Sequence, residues 1–484
     1  MNRRDFIKLS MAGTTLSAWN TACSTKKPAN TGTQRPNILF LFGEQHHPLM
    51  MSPAGNSIIH TPNLQRLADS GLYFENAYCP TPLCMPSRTS TFLGRFSHST
   101  GILTNDSTKD YVTDVPNLAR NLRYAGYRTC HVGKTHLGTS WDDSPERFDR
   151  LGFEDCYATK GKIGMQHGWP DDPYQQYLES KGLLEKFQQD YAQRASQRGT
   201  KGYASITRPS VLEPDDTHDG WISNTANDWL DTYDDERPFY LSINWAGPHS
   251  WRDPAGPYAS MYEDDTMPPP IEDPMELTPS AIKKRQAKTD RSLGDDPEAW
   301  KSIRSAYYGQ LTMVDDGIGK ILDTLERKGM LENTLVIYSA DHGEMLCDHG
   351  LVNKSIMYES SVKIPFLVSY PKAFPEGKRP KSFVSLIDLA PTLLEFAGAQ
   401  PLPEMHGQSL LPVFTGKRDD ISEVYSEQEN TRMIRQGDWK YINDSSWEIA
   451  QLFNLSDDPE ELNNRIHDFP EIATRLQTRM EHWY

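Results

Sequence analysis

The chain is poor in cysteine, with six in 484 residues. The cysteines form no Cys-x-x-C pair, and their positions (23, 79, 84, 130, 156 and 347) have no zinc-ligand spacing. The spacing therefore argues against a zinc-binding module. Disulfides among the four cysteines other than Cys23 and Cys84 cannot be assigned from sequence, and buried free thiols are an equal alternative.

The sequence also lacks long apolar runs and an excess of positive charge. No stretch after the N-terminal segment approaches the roughly 20 apolar residues of a membrane span. Lys and Arg total 50 against 66 Asp and Glu, which gives a net charge of −16. This balance argues against nucleic acid or an anionic membrane surface as a partner. Any site for an anion must therefore be locally basic.

The N-terminal segment has the features of a targeting sequence. Residues 3–8 contain Arg3-Arg4 and resemble a twin-arginine export signal. Thr21-Ala22-Cys23 resembles a lipoprotein cleavage site with Cys23 as the acylated residue, although Asn20 is unusual there. We therefore predict an export signal over 1–23 and a flexible tether over 24–35. The mature protein is expected in the periplasm, with a lipid on Cys23 as its only membrane contact.

Short apolar runs alternate with helical patterns between residues 36 and 406. Strands are predicted at 36–42, 127–132, 239–245, 334–340 and 364–369, and helices at 64–70, 117–124, 306–328 and 386–396. This alternation predicts an α/β fold with a mostly parallel sheet flanked by helices. The weakly periodic stretch 140–300 is interpreted as loops that elaborate one face of the sheet.

The pattern changes after about Gly407. Short alternating segments separated by turn residues cover 423–455, and a helical pattern covers 470–483. We predict a catalytic domain over 36–406 and a small C-terminal α+β subdomain over 407–484, built from an antiparallel sheet and one helix.

Polar residues follow four of the predicted strands. They are Glu44 and Gln45 after the first strand, Lys134 and His136 after 127–132, His249 after 239–245, and Asp341 and His342 after 334–340. Open parallel sheets build their binding crevice at the carboxyl ends of their strands. The sequence therefore predicts one site that collects acids, bases and histidines at this edge.

The segment 84–95 contains Cys84, Pro86, Arg88 and a terminal Gly94-Arg95. It resembles the signature of formylglycine-dependent sulfatases, the type I sulfatases of the alkaline phosphatase superfamily. The resemblance implies that a maturase oxidises Cys84 to formylglycine in a solvent-facing crevice and that the aldehyde hydrate attacks sulfur. A buried structural thiol is the alternative reading of Cys84 alone.

Further segments match motifs of the same family across residues 36–463. They are Gly133-Lys134-Thr135-His136-Leu137-Gly138, Pro248-His249, Ser339-Ala340-Asp341-His342-Gly343, Gly350 to Lys354 with Tyr358-Glu359, and Leu452-Phe453-Asn454-Leu455. Residues 78–84 resemble the branch that contains choline sulfatases and bacterial polysaccharide sulfatases. The resemblance implies an alkaline-phosphatase-like fold.

The chemistry of a sulfate ester suggests roles for these residues. Cations must neutralise the sulfate oxygens, and Arg88, Lys134 and Lys354 are expected to do so. A divalent metal would be held by Glu44, Gln45, Cys84 as formylglycine, Asp341 and His342. Ca²⁺ is favoured. Mg²⁺ or Mn²⁺ is the alternative, because Glu44 replaces the usual aspartate and His342 stands where asparagine is commoner.

Two histidines are candidates for proton transfer. His249 is expected to protonate the departing alcohol, and His136 to help eliminate sulfate from the hydrate. Plainer readings stay open here: Lys134 and Lys354 as surface lysines, His249 as a loop residue, and Asp341 as a helix cap.

The combined expectation is a sulfatase that acts on the end of a sulfated oligosaccharide from an algal or host polysaccharide. The aromatic residues Trp141, Trp169, Trp221, Trp251, Trp300, Tyr174 and Tyr177 either contact sugar or pack the loops. The alternatives are a phosphonate or phosphate ester hydrolase, a choline-type sulfatase, and a non-catalytic glycan-binding lipoprotein.

Overall fold

The β-strands form three sheets in the computed structural model, which describes residues 35–107, 110–138, 144–162, 165, 168–201, 206–273, 282–286, 298–445 and 449–483. The strands are β1 Asn37–Gly43, β2 Leu72–Tyr73, β3 Ala77–Tyr78, β4 Arg128–Lys134, β5 Asp155–Thr159, β6 Phe239–Asn244, β7 Thr334–Ala340, β8 Phe366–Ser369, β9 Val384–Ser385, β10 Glu423–Gln428, β11 Thr431–Gln436, β12 Trp439–Asp444 and β13 Ile449–Asn454. The predicted export signal, Cys23 and most of the tether lie outside the described residues.

The central sheet has seven strands in the order β2-β8-β7-β1-β6-β4-β5. The five strands from β7 to β5 pair in parallel, whereas β8 is antiparallel to β7 and β2 is antiparallel to β8. The predicted mostly parallel sheet is therefore confirmed, with an antiparallel edge.

Strand β1 shows why helices cover both faces of this sheet. Ile38, Phe40 and Phe42 belong to one buried apolar cluster, whereas Leu39 and Leu41 belong to another. Successive side chains of a strand point to opposite faces, so an uninterrupted apolar run needs a hydrophobic partner on each side.

The helices of the described residues supply these two layers, apart from Pro470–Trp483, which packs on the C-terminal sheet. They are Pro62–Asp69, Cys84–Leu93, Ser97–Thr100, Tyr111–Asp114, Leu118–Tyr124, Pro145–Leu151, Pro173–Ser180, Leu184–Lys201, His218–Thr232, Ala299–Arg327, Glu359–Val362, Leu389–Ala397, Leu411–Phe414 and Pro470–Trp483. The longest begins at Ala299, earlier than the predicted 306, because buried Ala299 and Ile303 extend its apolar face toward the N-terminus.

The interpretation of 140–300 as loops is wrong for much of that stretch. It contributes strand β5 and several helices, among them Leu184–Lys201 and His218–Thr232. The helix His218–Thr232 buries Trp221, Ile222 and Leu230 against the sheet. Its apolar positions are separated by polar residues that are themselves buried, which weakened the periodic signal.

The C-terminal segment folds as predicted. Strands β10–β13 form an antiparallel sheet of four strands in sequential order. The helix Pro470–Trp483 buries Leu476 and Met480 against Ile434 and Leu452 of this sheet. The predicted domain boundary at 406/407 stays a prediction.

A group of buried charges joins the C-terminal sheet to the rest of the chain. Lys440 is fully buried and lies 2.9 Å from Glu359 Oε1 and 2.7 Å from Glu461 Oε1. Arg435 and Tyr78 also contact the Glu359 carboxylate, at 3.5 and 2.8 Å. We call these five residues the junction cluster.

Within the described residues, no helix is both long enough and apolar enough to cross a membrane.

Candidate active site

Four neighbouring strands end at the same place. In the order β7-β1-β6-β4 these strands are mutually parallel, so their carboxyl ends lie at one edge of the sheet. The residues that meet there are Glu44, Gln45, Cys84, Arg88, Lys134, His136, His249, Asp341, His342 and Lys354, which we call the Cys84 cluster. All the predicted site residues are thus brought together, although their roles stay predictions.

Cys84 is the first residue of the helix Cys84–Leu93. Its Sγ atom lies 3.2 Å from Nε2 of His342 and 3.4 Å from Oε1 of Glu44. The side chain is 1% exposed, so the expectation of a solvent-facing position is wrong for this residue. The surrounding groups enclose it completely.

The charge around Cys84 is positive on balance. Burial alone would raise the pKa of the thiol, but Lys354, Lys134 and His342 together lower it well below its ordinary value. Nearby cations favour an anionic group over a neutral one. This position is therefore suited to an anion or to a nucleophile that gains negative charge.

Arg88 is held one helical turn further along. Its Nε atom donates to Oδ2 of Asp341 at 2.9 Å, and its Nη1 atom donates to Oδ1 of Asn244 at 3.2 Å. Its guanidinium lies over the ring of Phe42, 4.9 Å from the centroid. These contacts fix the plane of a buried cation whose Nη2 atom has no hydrogen-bond partner among the described residues.

Lys134 is the last residue of β4 and is 6% exposed, which rules out the surface-lysine reading. Its ammonium contacts Oε1 of Glu44. The other oxygen of that carboxylate, Oε2, is buried and has no hydrogen-bond partner among the described residues. A buried carboxylate oxygen without a partner is a candidate ligand atom.

Asp341 and His342 complete this donor set. The backbone N–H groups of Gln45 and His342 both donate to Oδ1 of Asp341 at 3.0 Å. Nδ1 of His342 lies 2.8 Å from the carbonyl oxygen of Gly343, which turns Nε2 toward Cys84. Burial opposes protonation of His342, but Asp341 and Cys84 raise its pKa. Asp341 therefore binds neighbours at the site and does not act as a simple helix cap.

Two sets of possible metal ligands share Cys84. One is Glu44, Cys84 and His249, and the other is Cys84, Asp341 and His342, and in each set the ligand atoms lie within 4.8 Å of one another. Glu44, whose Oε2 atom has no hydrogen-bond partner among the described residues, belongs to the first set. Carboxylates with one imidazole fit a divalent cation.

The two candidate proton-transfer histidines both lie close enough to Cys84 to interact with its thiol. Nδ1 of His249 is 2.6 Å from the carbonyl oxygen of Ser250, so Nε2 faces the site, 3.9 Å from Oε1 of Glu44. Burial and then Lys354 lower the pKa of His249 to about 4. Burial and Lys134 also lower the pKa of His136.

Glu344 and Arg252 are part of this site and were not predicted. Glu344 is fully buried, accepts a hydrogen bond from Nε2 of Gln45, and lies 3.3 Å from Nη2 of Arg252. Glu344 directly follows the Asp341-His342-Gly343 motif, and this position was the available sequence signal.

The sulfatase family model matches residues 36–399, and the model of the C-terminal part of N-sulphoglucosamine sulphohydrolase matches residues 347–483. The chain belongs to the sulfatase family. It is accordingly a sulfuric ester hydrolase, and the family is generally metal-dependent.

Three relatives match the sulfatase over nearly its whole length. An arylsulfatase of Clostridium perfringens is 30% identical, with 90% of both chains covered. An N-acetylglucosamine-6-O-sulfatase of Bacteroides thetaiotaomicron is 28% identical, over 95% of this chain and 87% of that protein. A choline-sulfatase of Rhizobium meliloti is 28% identical, over 93% and 87%. The predicted branch is therefore confirmed.

A solved phosphonate monoester hydrolase of Agrobacterium radiobacter shares the fold of the sulfatase, with a TM-score of 0.76 and 22% identity. It covers 93% of this chain and 95% of that one. The predicted alkaline-phosphatase-like fold is therefore confirmed.

Proposed function

We propose that the protein is an exported sulfatase that hydrolyses sulfate esters of short carbohydrates through a formylglycine derived from Cys84. The observation that carries the proposal is the surrounding of Cys84. Its sulfur is enclosed by cations and by the carboxylate and imidazole groups of a candidate metal site. A maturase is the partner that would install the aldehyde.

The nucleophile is one hydroxyl of the formylglycine hydrate. It forms a bond to sulfur while the bond from sulfur to the ester oxygen breaks, and the alcohol leaves with a proton. The second hydroxyl then loses a proton, which re-forms the aldehyde and expels sulfate, and a water molecule adds to the aldehyde to restore the hydrate. Splitting the reaction in this way avoids direct attack of water on an anionic ester.

The three cations bind the sulfate oxygens in this proposal. Arg88 and Lys134 are buried beside Cys84, and Lys354 is the largest cationic influence on its pKa. Preorganised cations in a site that excludes water stabilise charge that develops in the transition state. Their positions also offset the protein's negative net charge locally.

The metal would be held by Glu44, Gln45, Asp341, His342 and residue 84. When bound, the cation supplies Lewis-acid polarisation of the sulfate. Three of the four unmodified side chains offer oxygen, which favours Ca²⁺, and the imidazole keeps Mg²⁺ and Mn²⁺ as alternatives.

His249 is the proposed general acid. Its Nδ1 atom is fixed by the Ser250 carbonyl, so Nε2 is the atom that can deliver a proton. Its pKa of about 4 reflects burial and the charge of Lys354. A sulfate anion that pairs with Lys354 would offset that charge and raise the pKa toward neutrality. His136 would take the proton during sulfate release.

The carbohydrate assignment rests on the relative that acts on N-acetylglucosamine 6-sulfate and on the export signal. The aromatic argument does not add to it. Trp221, Trp251 and Tyr174 are buried in the core, and Trp300 and Tyr177 pack against it. Trp169 is half-buried under the ammonium of Lys160, and Trp141 lies outside the described residues. Periplasmic location, with or without a lipid on Cys23, is part of the proposal.

A choline-type sulfatase is the second candidate, because a choline-sulfatase matches the chain at similar identity. The fold shared with a phosphonate monoester hydrolase keeps that activity as a further alternative. A non-catalytic glycan-binding lipoprotein would leave Cys84 unmodified.

The test is a rate comparison on protein coexpressed with the maturase. Substrates are sulfated mono- and oligosaccharides, long sulfated polymer, choline sulfate, and a matched aryl sulfate and aryl phosphonate. We expect the highest kcat/KM on a short sulfated saccharide. Turnover of choline sulfate with none on any saccharide, or a preference for the phosphonate, would contradict the assignment. Equal rates on polymer and oligosaccharide would contradict attack at the chain end.

A further inference from the structure

The side-chain amide of Gln45 lies between two groups of opposite hydrogen-bonding character. Its Oε1 atom contacts the ammonium of Lys354, and its Nε2 atom contacts Oε2 of Glu344. An ammonium can only donate hydrogen bonds, and a carboxylate can only accept them. Both neighbours therefore favour the same one of the two amide orientations.

Glu344 is itself fixed by donors on its other oxygen. Oε1 accepts from the backbone N–H groups of Leu346 at 3.1 Å and Asn353 at 2.6 Å, and it lies 3.3 Å from Nη2 of Arg252. The residue is fully buried, and neither carboxylate oxygen is left without a partner. Glu344 is thus occupied on both sides and does not belong to the candidate metal-ligand sets.

We propose that Glu344 is a positioning residue that holds the amide of Gln45 with its oxygen toward the metal position and its nitrogen away from it. The inference rests on the proposed function, in which Gln45 is a metal ligand. An amide binds a hard cation through oxygen only, so a reversed amide would present N–H groups to the ion. Partners of metal ligands commonly control ligand orientation in this way.

The substitution Glu344→Gln tests this role by exchanging an acceptor for a donor at almost constant shape. The carbonyl oxygen of the new amide is needed on the side of Leu346 and Asn353, where two N–H groups point at it. Its NH₂ group then faces Nε2 of Gln45, donor against donor. Only Lys354 then holds the Gln45 amide in its natural orientation, and we expect the Kd for Ca²⁺ to rise about 10–100-fold, the range for loss of such a partner.

The same substitution should have the opposite effect when Gln45 is replaced by glutamate. In Gln45→Glu, one carboxylate oxygen faces the carboxylate of Glu344, and like charges repel. Adding Glu344→Gln to this variant places an NH₂ donor against that oxygen. We therefore expect Glu344→Gln to weaken Ca²⁺ binding in the natural background and to strengthen it in the Gln45→Glu background.

The experiment measures the Kd for Ca²⁺ by calorimetry on four full-length proteins: unaltered, each single variant and the double variant. The unfolding midpoint of each protein in chelator reports the hydrogen bond between residues 45 and 344 in the absence of metal. Glu344→Gln should lower this midpoint in the natural background and raise it in the Gln45→Glu background. Glu461→Gln is the matched control, since Glu461 is a buried glutamate of the junction cluster. It should change stability but not the Kd.

An equal Kd in all four proteins, or weakening by Glu344→Gln in both backgrounds, would contradict the positioning role alone. Absence of Ca²⁺ binding in the unaltered protein would contradict the metal of the proposed function and the inference together. Inversion of sign in both the Kd and the chelated midpoint would establish the positioning role.

Discussion

The Cys84 cluster and the junction cluster are both buried groups of charge, yet they use their polar atoms differently. In the junction cluster, Lys440 and Arg435 face the carboxylates of Glu359 and Glu461 at 2.7 to 3.5 Å. Burial opposes ionisation of Glu359, but Lys440 and Arg435 lower its pKa to about 2. Its two cations pair with its two carboxylates, although burial still raises the pKa of Glu461.

The Cys84 cluster, in contrast, contains several polar atoms that have no hydrogen-bond partner among the described residues. Oε2 of Glu44, Nη2 of Arg88 and Nδ1 of His136 are buried without a hydrogen-bond partner among the described residues. Burial also raises the pKa of Glu44, a cost that the contact with Lys134 offsets only in part. Buried polar atoms without partners are costly, so their concentration at one place indicates a ligand site. The charges of the junction cluster therefore stabilise the fold, whereas those of the Cys84 cluster are available to bind a ligand.

The largest expected effect is that of Cys84→Ala. Turnover should be abolished, because no other residue supplies the nucleophile, while the fold survives the loss of one small buried side chain. The assay is sulfate release together with the circular dichroism spectrum. Cys79→Ala, a buried thiol on the same segment, is the control and should keep activity. Substantial activity in Cys84→Ala would show that residue 84 does not supply the nucleophile.

His249→Ala should lower kcat on a sugar sulfate by about 10²–10⁴-fold, the usual contribution of general acid catalysis. The loss on a nitrophenyl sulfate should be much smaller, because nitrophenolate hardly needs a proton to leave. The measurement is the ratio of the two losses. Equal losses on both substrates would reassign His249 to binding or structure.

Lys440→Met should act on the fold and not on the chemistry. Removing one partner of a buried ion pair leaves uncompensated carboxylates, which typically costs about 3–5 kcal/mol. We expect that loss in the free energy of unfolding, measured with denaturant. KM and kcat at a temperature where the variant is folded should stay near their natural values. A variant with unchanged stability and impaired turnover would show that the junction cluster contributes to the chemistry, which contradicts the proposed difference between the two clusters.

Asp341→Asn should reduce stabilisation by metal. At a Ca²⁺ concentration of 100 times Kd, binding stabilises a protein by about 2.7 kcal/mol. This gain should largely disappear in the variant, whereas Asp388→Asn, at a buried carboxyl group in another part of the fold, should retain it. Thermal unfolding with Ca²⁺ and with chelator measures the difference. An unchanged gain in Asp341→Asn would exclude it as a ligand.

The smallest effect concerns His218, which belongs to neither cluster. Burial lowers its pKa to about 3, so the folded protein keeps it neutral while the unfolded chain takes up a proton near pH 6.5. Its contribution to stability is complete above pH 6.5 and is lost as the pH falls toward 3. Between pH 6.5 and 5, the free energy of unfolding should therefore fall by about 2 kcal/mol less in His218→Gln than in the natural protein, at about 1.4 kcal/mol per pH unit. Denaturant unfolding at the two pH values measures this difference. Equal losses in both proteins would contradict the lowered pKa.

The strands that position the site were predictable because they are continuous apolar runs. Both β1 and β7 are buried at every position. A short, continuous apolar run of this kind is typical of a strand in a parallel sheet that is covered on both faces. The polar residues just after these runs could then be placed at one edge of the sheet. The closing helix Pro470–Trp483 was equally clear from its apolar spacing.

The parts that escaped prediction depend on contacts between distant residues. The helix Pro62–Asp69 was predicted, but its start depends on a contact that was not: Asp315, from the long helix, accepts from the backbone N–H groups of Asn63 and Leu64. The contact of Glu344 with Gln45 joins residues that lie 299 positions apart. No local pattern encodes either pairing. The family motifs could supply ligand residues, but not the neighbours that orient them.

The mass of the peptide that carries residue 84 tests the central claim most directly. It should be measured on protein purified from its native host, or coexpressed with the maturase, and shown to release sulfate from a sulfated saccharide. We predict a peptide in which the thiol is replaced by an aldehyde, in a fraction that rises in proportion to specific activity. Full activity in protein whose residue 84 is entirely unmodified cysteine would contradict the account.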